Sequence, residues 1–333
     1  MITDVPAVAG LPPGHRARPF AEADRETLVA ARNREVHELQ RGTAVEWAEW
    51  EAMQPQPDRL RLTVEAPGGA VAGTADLSSG FIKREDGTLF GGVGVVREHR
   101  GKGIGGALLA VVEAEARRRS APRILADTNE AFTGGLEWAV KRGYREIGRR
   151  IESYVELAAF DPAPFADILA GVRSAGLGLA TFAERLAGGE QAGRDAFFRE
   201  LYEAEGPMWE DIPWASPMPH WPFEQFRRMI VESGKLLPDL SLVALDGERI
   251  VGLTTTGKRQ DRDGYTWMTG VGREHRGRGL ALALKVEALT RAKAAGLRAL
   301  LTTNDEPNKA MRSINARLGY RALPASIELE KRL

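Results

Sequence analysis

The sequence predicts an α/β protein of two tandem domains, each with a mixed central sheet flanked by helices. The octapeptide that contains Arg100 recurs almost unchanged around Arg276, 176 residues later. A second landmark, Arg142–Tyr144, recurs as Leu318–Tyr320 at the same spacing. Because both landmarks stay in register, we infer that a whole folding unit is duplicated. Strand-like and helix-like segments alternate in both halves, which is typical of layered α/β folds.

The first half presents its strand and helix signals in a regular order. Residues 59–65 alternate apolar and polar side chains, and a Pro-Gly-Gly turn follows, so a hairpin is expected. Apolar residues recur at helical spacing over 104–119. We expect strands at 16–22, 59–65, 70–77, 89–96, 123–126 and 151–157, and helices at 24–40, 44–53, 104–119 and ending near 141.

The second half begins after a linker signal, Asp161–Pro164, whose prolines disfavour regular structure. The order of elements then repeats, so the expected domains are residues 1–160 and 165–333. We expect strands at 177–184, 240–245, 249–256, 264–272, 299–303 and 325–329, with helices after the linker and at 280–294 and 308–318.

Charge and cysteine content exclude several classes of protein. Basic and acidic residues number 46 each, so nothing indicates a nucleic-acid or membrane partner. The chain has no cysteine, which excludes disulfides, thiolate metal sites and a cysteine nucleophile. Its five histidines lack metal-ligand spacing, and no apolar run approaches the ~20 residues of a membrane helix. We therefore expect a cytoplasmic protein with no metal, and the sequence leaves its oligomeric state open.

Both copies of the octapeptide form the pattern Arg-x-x-Gly-x-[Gly/Ala] between a strand and a helix. Glycines allow a sharp turn, and successive backbone amides can then form a concavity for an anion. The helix that begins there adds its positive end, and flanking Arg or Lys side chains can pair with phosphate. The pattern predicts a pyrophosphate site made mainly of backbone. Its key residues are Arg100, Gly103 and Gly105, and Arg276, Gly279 and Ala281.

Two other phosphate-binding motifs compete with this interpretation. A Walker A loop ends in Gly-Lys-[Ser/Thr], which neither copy has. A dinucleotide fingerprint is formally present as Gly101, Gly103 and Gly106, with Asp127 at a strand end. The second copy has Leu282 in place of the third glycine. A duplicated function should not depend on residues of one copy, so a nucleotide-dependent dehydrogenase is disfavoured.

The order of strand, loop, amphipathic helix, strand, helix and closing Gly-Tyr resembles the acetyl-CoA core of the GCN5-related N-acetyltransferases, the GNAT family. Both halves match, and the tandem arrangement is similar to two-domain acetyltransferases of the mycothiol synthase type. The resemblance implies that loop amides hold the CoA pyrophosphate and that the preceding strand pairs with the pantetheine arm. The residues implied are Val95, Arg100, Gly101, Lys102, Gly103, Ile104 and Gly105, and Thr269, Val271, Arg276, Gly277, Arg278, Gly279, Leu280 and Ala281.

The resemblance also implies cofactor contacts for Asn304 and Asn308. Asn304 has helix capping as an equal alternative, since Asn suits that position. Asn308 is expected inside a helix, where Asn is a poor choice, so a cofactor contact is favoured. The first half has Phe132 at the position of Asn308. We interpret the first half as a cofactor-competent or degenerate domain and the second half as the catalytic one.

Acetylation of an amine requires a base for the ammonium, stabilisation of an oxyanion and a proton for the leaving thiolate. The family often places a Glu base and a Tyr acid at positions that here are Tyr265 and Asn315 in the second half. The first half has Leu89 and Ala139 there. Neither half keeps the usual pair, which leaves Tyr265 as one candidate catalytic residue.

A second source of catalytic groups is the stretch Met208–Phe226, which is rich in tryptophan and proline. We expect it to form an aromatic pocket over the acceptor site, with Glu210, Asp211 or His220 as base. Asp211 is the second candidate catalytic residue.

The resulting prediction is an acetyl-CoA-dependent N-acetyltransferase that transfers directly to a primary amine of a small molecule or short peptide. Without a cysteine to carry the acetyl group, direct transfer is the simpler route. The alternative is a sensor that binds acyl-CoA without transferring the acyl group, which the missing Glu and Tyr favour.

Overall fold

Two units divide the chain, and each contains both parallel and antiparallel strand pairs. The computed structural model describes residues 7–53, 55–80, 83–214, 217–260 and 262–333. The first unit contains the described residues up to Arg149 together with Pro324–Leu333, and the second contains Arg150–Leu323. The predicted fold class is confirmed.

The first unit pairs five strands from its own half with the last strand of the chain. Strands β1, β2, β3 and β4 pair antiparallel in sequence order, β4 pairs parallel with β5, and β5 pairs antiparallel with β13. Its strands are β1 (Arg16–Pro19), β2 (Leu60–Glu65), β3 (Val71–Ser78), β4 (Leu89–Val95), β5 (Arg123–Asn129) and β13 (Ser326–Arg332). Its helices are α1 (Asp24–Asn33), α2 (Ala44–Met53), α3 (Ile104–Arg118) and α4 (Gly135–Val140).

The second unit repeats this order of pairing. Strands β7 to β10 pair antiparallel, β10 pairs parallel with β11, and β11 pairs antiparallel with β6, which also pairs with β12. Its strands are β6 (Arg145–Glu156, from Arg150 on), β7 (Leu177–Thr181), β8 (Leu242–Asp246), β9 (Arg249–Lys258), β10 (Asp263–Val271), β11 (Ala299–Asp305) and β12 (Arg321–Ala322). Its helices are α5 (Ala166–Ser174), α6 (Phe182–Leu186), α7 (Gln191–Glu210), α8 (Phe223–Phe226), α9 (Leu280–Ala294) and α10 (Lys309–Arg317).

The helix after each loop is fixed by an apolar face at helical spacing. In α3 the residues Ile104, Leu108 and Val112 are fully buried and belong to the core of the first unit. In α9 the residues Leu280 and Leu284 play the same part in the second unit. This packing holds the start of each helix against the strand that precedes the loop.

The closing strands differ from their expected placement. The segment expected to close the first domain, 151–157, pairs with β11 of the second unit, from Ala299↔Glu156 to Asn304↔Ile151. The segment expected to close the second domain, 325–329, lies in β13 and pairs with β5 of the first unit. Hydropathy marks a segment as a strand but does not select its partner, so sequence spacing assigned both strands to the wrong unit. The boundaries 1–160 and 165–333 stay a prediction about the duplicated sequence.

Candidate functional site

The loop between β10 and α9 leaves backbone amides available at a helix N-terminus. After β10 the chain makes a short 3-10 turn over Arg273–His275, and α9 begins at Leu280. Gly279 precedes the helix with a φ of 78°, in the left-handed region, and no side chain caps the helix. Because the first amides of a helix have no partner inside it, this end can receive an anion.

The loop between β4 and α3 repeats this geometry in the first unit. A 3-10 turn covers Arg97–His99, and Gly103 precedes α3 with a φ of 89° and no side-chain cap. A Cβ atom added at Gly103 would meet no atom within 4 Å, so the space above the loop is open. Both loops therefore satisfy the backbone requirements of the predicted pyrophosphate site.

The loop arginines are anchors rather than free phosphate ligands. Arg276 donates from Nε to the carbonyl of Val271 at 3.0 Å, and Arg100 donates from Nε to the carbonyl of Val95 at 3.0 Å. Nη2 of Arg276 also binds Asp211, and both Nη atoms of Arg100 bind Glu35. The backbone amide of each arginine donates within its own turn, to the carbonyl of Arg273 or of Arg97. Each arginine thus ties its loop to the end of the preceding strand, and the amides left for a ligand are those that follow it.

The two other cationic side chains of the loops differ in their contacts: one is hydrogen-bonded and the other is exposed. Lys102 donates from Nζ to the carbonyl of Glu98 at 3.1 Å. Arg278 is exposed and makes no ion pair with the described residues. Arg278 is therefore the loop side chain best suited to pair with a phosphate.

Asp211 has the surroundings of an anchor and not those of a base. Its carboxylate accepts hydrogen bonds from Arg273, at 2.9 Å from Nε to Oδ2, and from Arg276. These two guanidinium groups hold the pKa of Asp211 far below its usual range. A carboxylate held in this way binds a proton weakly, so the geometry favours loop positioning over proton transfer for Asp211.

The strand before the second loop carries an open edge. The parallel pairing of β10 with β11 ends at Thr266↔Thr302, while β10 continues to Val271 and β11 to Asp305. Beyond Thr266 the two strands diverge, and this edge of β10 has no sheet partner among the described residues. The predicted contact residues Thr269 and Val271 lie on this stretch, so their backbone can pair with an extended ligand.

A β-bulge lies at the point of divergence. The register of β10 against β9 shifts between Thr266↔Thr256 and Met268↔Thr255, which makes Trp267 the extra residue. The indole of Trp267 lies over Gly257, where an added Cβ would fall 1.9 Å from the ring. A bulge leaves its extra residue outside the regular ladder, here beside the open edge of β10. No local pattern in the sequence indicates this bulge.

Asn308, and not Asn304, caps helix α10. Asn304 lies in β11, so the capping alternative is wrong for it, and its Oδ1 accepts a hydrogen bond from Asn315 Nδ2 at 2.7 Å. Asn308 is not inside the helix; it is the N-cap of α10, and its Oδ1 accepts from the amide of Met311 at 3.2 Å. Asn315 is buried, and its Oδ1 has no hydrogen-bond partner among the described residues. A cofactor contact for Asn304 or Asn308 stays a prediction.

Tyr265 lies where β10 and β11 are still paired. Its hydroxyl bonds to Thr303 Oγ1 at 2.6 Å. Burial, with the nearby Glu152 carboxylate, raises the pKa of Tyr265 to about 12. A phenol with this pKa is almost entirely protonated near pH 7, so it can donate a hydrogen bond but is a poor base.

Aromatic residues of α7 and of the segment that follows it pack on one another. We call Tyr202, Trp209, Trp214, His220, Trp221 and Phe223 the aromatic cluster. His220 stacks on Tyr202 with ring centroids 4.7 Å apart, and Trp209 lies 5.5 Å from His220. The hydroxyl of Tyr202 donates to the carbonyl of Trp221 at 2.7 Å. The rings thus form a packed, half-buried cluster on one side of α7, and an aromatic pocket over the acceptor site stays a prediction.

One buried lysine was also missed by the sequence analysis. Lys285 in α9 is 2% exposed, and its Nζ lies 5.1 Å from the centre of the Tyr320 ring. Burial lowers the pKa of Lys285 to about 7. The described residues give it no carboxylate partner. Its position in the repeat corresponds to Leu109, which is also buried.

Three features together define an acyl-CoA-binding transferase fold. They are the separation of β10 from β11 after Thr266, the bulge at Trp267 and the uncapped loop before α9. Residues 25–144 and 200–320 each match the Acetyltransferase (GNAT) family. These matches make up most of the chain, so the chain belongs to this family. It is an N-acetyltransferase with two such domains. Enzymes of this family use acetyl-CoA and act on amines.

Solved structures share this fold over nearly the whole chain. A GCN5-related N-acetyltransferase from Sphaerobacter thermophilus is 24% identical, with a TM-score of 0.72 over 97% of this chain and 96% of its own. A tandem GNAT protein from the clavulanic acid biosynthesis pathway is 20% identical, with a TM-score of 0.67 over 96% and 98%. Saccharomyces cerevisiae N-myristoyltransferase with bound myristoyl-CoA is 9% identical, with a TM-score of 0.57 over 100% and 81%.

No curated protein sequence matches the chain. Among the described residues, no helix is both long and apolar enough to cross a bilayer.

Proposed function

We propose that the second unit transfers the acetyl group of acetyl-CoA directly to a primary amine of a small molecule or short peptide. The observation that carries this proposal is the bulge at Trp267, at the point where β10 leaves β11. Within the part of the chain that the structure describes, this is where an open strand edge and a bulge lead, through the following loop, to an uncapped helix N-terminus. These are the groups that a thioester, an extended arm and a pyrophosphate need.

The binding roles follow from this geometry. Amides from Gly277 to Ala281 would hold the pyrophosphate, with Arg278 as the loop cation. The edge of β10 at Thr269 and Val271 would pair with the pantetheine arm. An amide at the bulge would then face the thioester carbonyl and stabilise the oxyanion of the transition state.

Direct transfer is supported by the residues that could otherwise carry an acetyl group. The chain has no cysteine. Tyr265 is held protonated by its raised pKa and is bonded to Thr303. With neither group available as a nucleophile, attack by the amine nitrogen on the thioester carbonyl is the simplest route.

The first unit has the loop without the bulge. Amides from Gly101 to Gly105 would hold a pyrophosphate, and Val95 lies at the strand end that the loop arginine fixes. The β3–β4 register is continuous from Gly73↔Val95 to Ser78↔Phe90. We therefore propose that the first unit is cofactor-competent but lacks the geometry for transfer.

A non-catalytic acyl-CoA sensor is the second candidate. It is favoured by the Asn304–Asn315 pair, which occupies the region where the family often has a Tyr acid. Release of CoA in the presence of a primary amine distinguishes the two, because a sensor releases none.

Paired glycine variants test the binding site by calorimetry with acetyl-CoA. Gly279→Val and Gly103→Val each force a β-branched residue into a left-handed conformation at equivalent loop positions. We expect Gly279→Val to weaken the second-unit site by roughly a hundredfold, or about 2.7 kcal/mol, while Gly103→Val leaves that site intact. Thermal unfolding of both variants serves as the control for folding. Unchanged affinity and stoichiometry in Gly279→Val would overturn the assignment of the loop.

A further inference from the structure

Helix α7 runs alongside β10 in a direction fixed by two contacts. At its C-terminal end, Asp211 binds Arg273 and Arg276 of the loop that follows β10. Within the last turn, Met208 packs on Gly270, where an added Cβ would lie 2.7 Å from the Met208 sulfur. The C-terminal end of α7 therefore points toward the loop, and moving back along the helix means moving back along the strand.

This direction places Glu205 over the bulge. Glu205 lies three residues before Met208, and both are buried. Three residues of helix span about 4.5 Å, which corresponds to between one and two residues of strand at roughly 3.3 Å each. The backbone of Glu205 thus lies near Met268. Long side chains in a helix lean toward its N-terminus, which carries the carboxylate further toward Trp267.

The partners of Glu205 differ from those of the other acids near the loop. Its side chain is 8% exposed, and its ion-pair partner is His220, with Oε1 and Nε2 3.6 Å apart. The described residues give Glu205 no arginine or lysine partner, whereas Asp211 has two arginines. A buried carboxylate without an arginine or lysine partner leaves room beside it for a cationic group.

His220 is held by packing on the side away from Glu205. Its ring stacks on Tyr202 and lies near Trp209, one helical turn on either side of Glu205. The ring also lies against the helix at Gly206, where an added Cβ would make an ordinary contact with Nδ1 at 3.8 Å. The Nε2 atom is buried and has no hydrogen-bond partner within the described residues. The imidazole therefore faces Glu205 with an unsatisfied nitrogen.

We propose that Glu205, positioned by His220, is the base that takes the proton from the acceptor ammonium. This proposal rests on the proposed function of the second unit. The ammonium gives one proton to the Glu205 carboxylate, and the free amine nitrogen attacks the thioester carbonyl. A C–N bond forms, the C–S bond breaks, and the thiolate leaves with the second proton lost by the nitrogen. The acceptor is thus a primary amine that is cationic in solution and is received beside the aromatic cluster.

The test compares two acceptors that differ in their need for a base. Phenethylamine is almost entirely an ammonium near neutral pH, whereas hydroxylamine is largely uncharged there. The variants are Glu205→Gln and His220→Gln, and the matched control is Glu203→Gln, which alters an exposed acid on the same helix. Release of CoA gives kcat and KM for each acceptor, and calorimetry gives the affinity for acetyl-CoA.

We expect Glu205→Gln to lower kcat with phenethylamine by roughly 10²–10³-fold, within the usual contribution of a general base. With hydroxylamine the loss should be under about tenfold, and affinity for acetyl-CoA should be unchanged. His220→Gln should show the same acceptor dependence with a smaller loss, and it decides the question if Glu205→Gln does not fold. Glu203→Gln should match the wild type.

Equal losses with both acceptors, or no loss with either, would overturn the assignment of Glu205 while leaving the proposed function intact. If the wild-type protein binds acetyl-CoA but releases no CoA with either amine, the transfer function and the assignment of Glu205 fail together.

Discussion

The loop between β4 and α3 and the loop between β10 and α9 have nearly identical structures, whereas the strands that lead into them differ. Arg100 and Arg276 make the same 3.0 Å hydrogen bond to the carbonyl at the end of the preceding strand. Each also binds a carboxylate, supplied by Glu35 or by Asp211. Strand β10 has a bulge at Trp267, while β4 is regular and has Gly91 at the equivalent position. In the proposed function, anion binding and group transfer depend on separate segments, which can diverge independently after duplication.

The helices after the loops show a second difference. Lys285 of α9 and Leu109 of α3 occupy equivalent buried positions, but only the lysine can carry a charge. An unpaired buried ammonium is unfavourable, which is why burial lowers the pKa of Lys285 to about 7. The second unit therefore has a destabilising group that the first unit lacks.

Exchanging these two residues should produce the largest change in stability. Lys285→Leu should raise the free energy of unfolding by roughly 2–4 kcal/mol at pH 7, and Leu109→Lys should lower it by a similar amount. Between pH 7 and about pH 10 the unfolded state binds the proton that folded Lys285 has lost, so wild-type stability rises with pH. The gain in Lys285→Leu should shrink over that range. Urea unfolding at several pH values measures this, and a gain independent of pH would contradict the assignment.

Displacing Trp267 should make the second unit resemble the first. Gly257→Ala puts a methyl group 1.9 Å from the indole, so the ring and the bulge must move. We expect kcat to fall at least about tenfold and stability to fall by about 1–3 kcal/mol, with acetyl-CoA affinity changed by less than about threefold. Gly92→Ala is the matched control, because an added Cβ at Gly92 meets no atom within 4 Å. A parallel loss of affinity and kcat would show that the bulge serves binding.

The smallest effect is expected at the cap of α10. Asn308→Ala should lower the free energy of unfolding by about 1 kcal/mol, while Asn308→Ser should keep most of it because serine also caps helices. If Asn308 only caps the helix, calorimetry will give both variants the wild-type affinity for acetyl-CoA. A loss of affinity in both variants would instead support the predicted cofactor contact.

The sequence predicted what depends on local pattern. The loops could be found because glycine spacing and the repeat reflect backbone requirements that act within a few residues. The bulge at Trp267 could not, since it depends on Gly257 of another strand making room for the indole. The placement of Asn308 inside the helix was wrong because the helix begins one residue later than periodicity suggested. Glu205 carries no motif, and its proposed role depends on the contacts of α7 with β10 and the loop that follows, which local sequence does not reveal.

The placement of β13 has a consequence for synthesis of the chain on the ribosome. The first unit reaches Arg149 and is completed by β13 (Ser326–Arg332), so the 183 residues from Arg150 to Arg332 must be translated before its strand pairing is complete. Until then the edge of β5 exposes unpaired backbone groups, which is a hazard for association between nascent chains. A fragment cut at the linker would carry the same open edge. Expression of the first half alone therefore calls for residues 324–333 to be grafted on or supplied as a peptide.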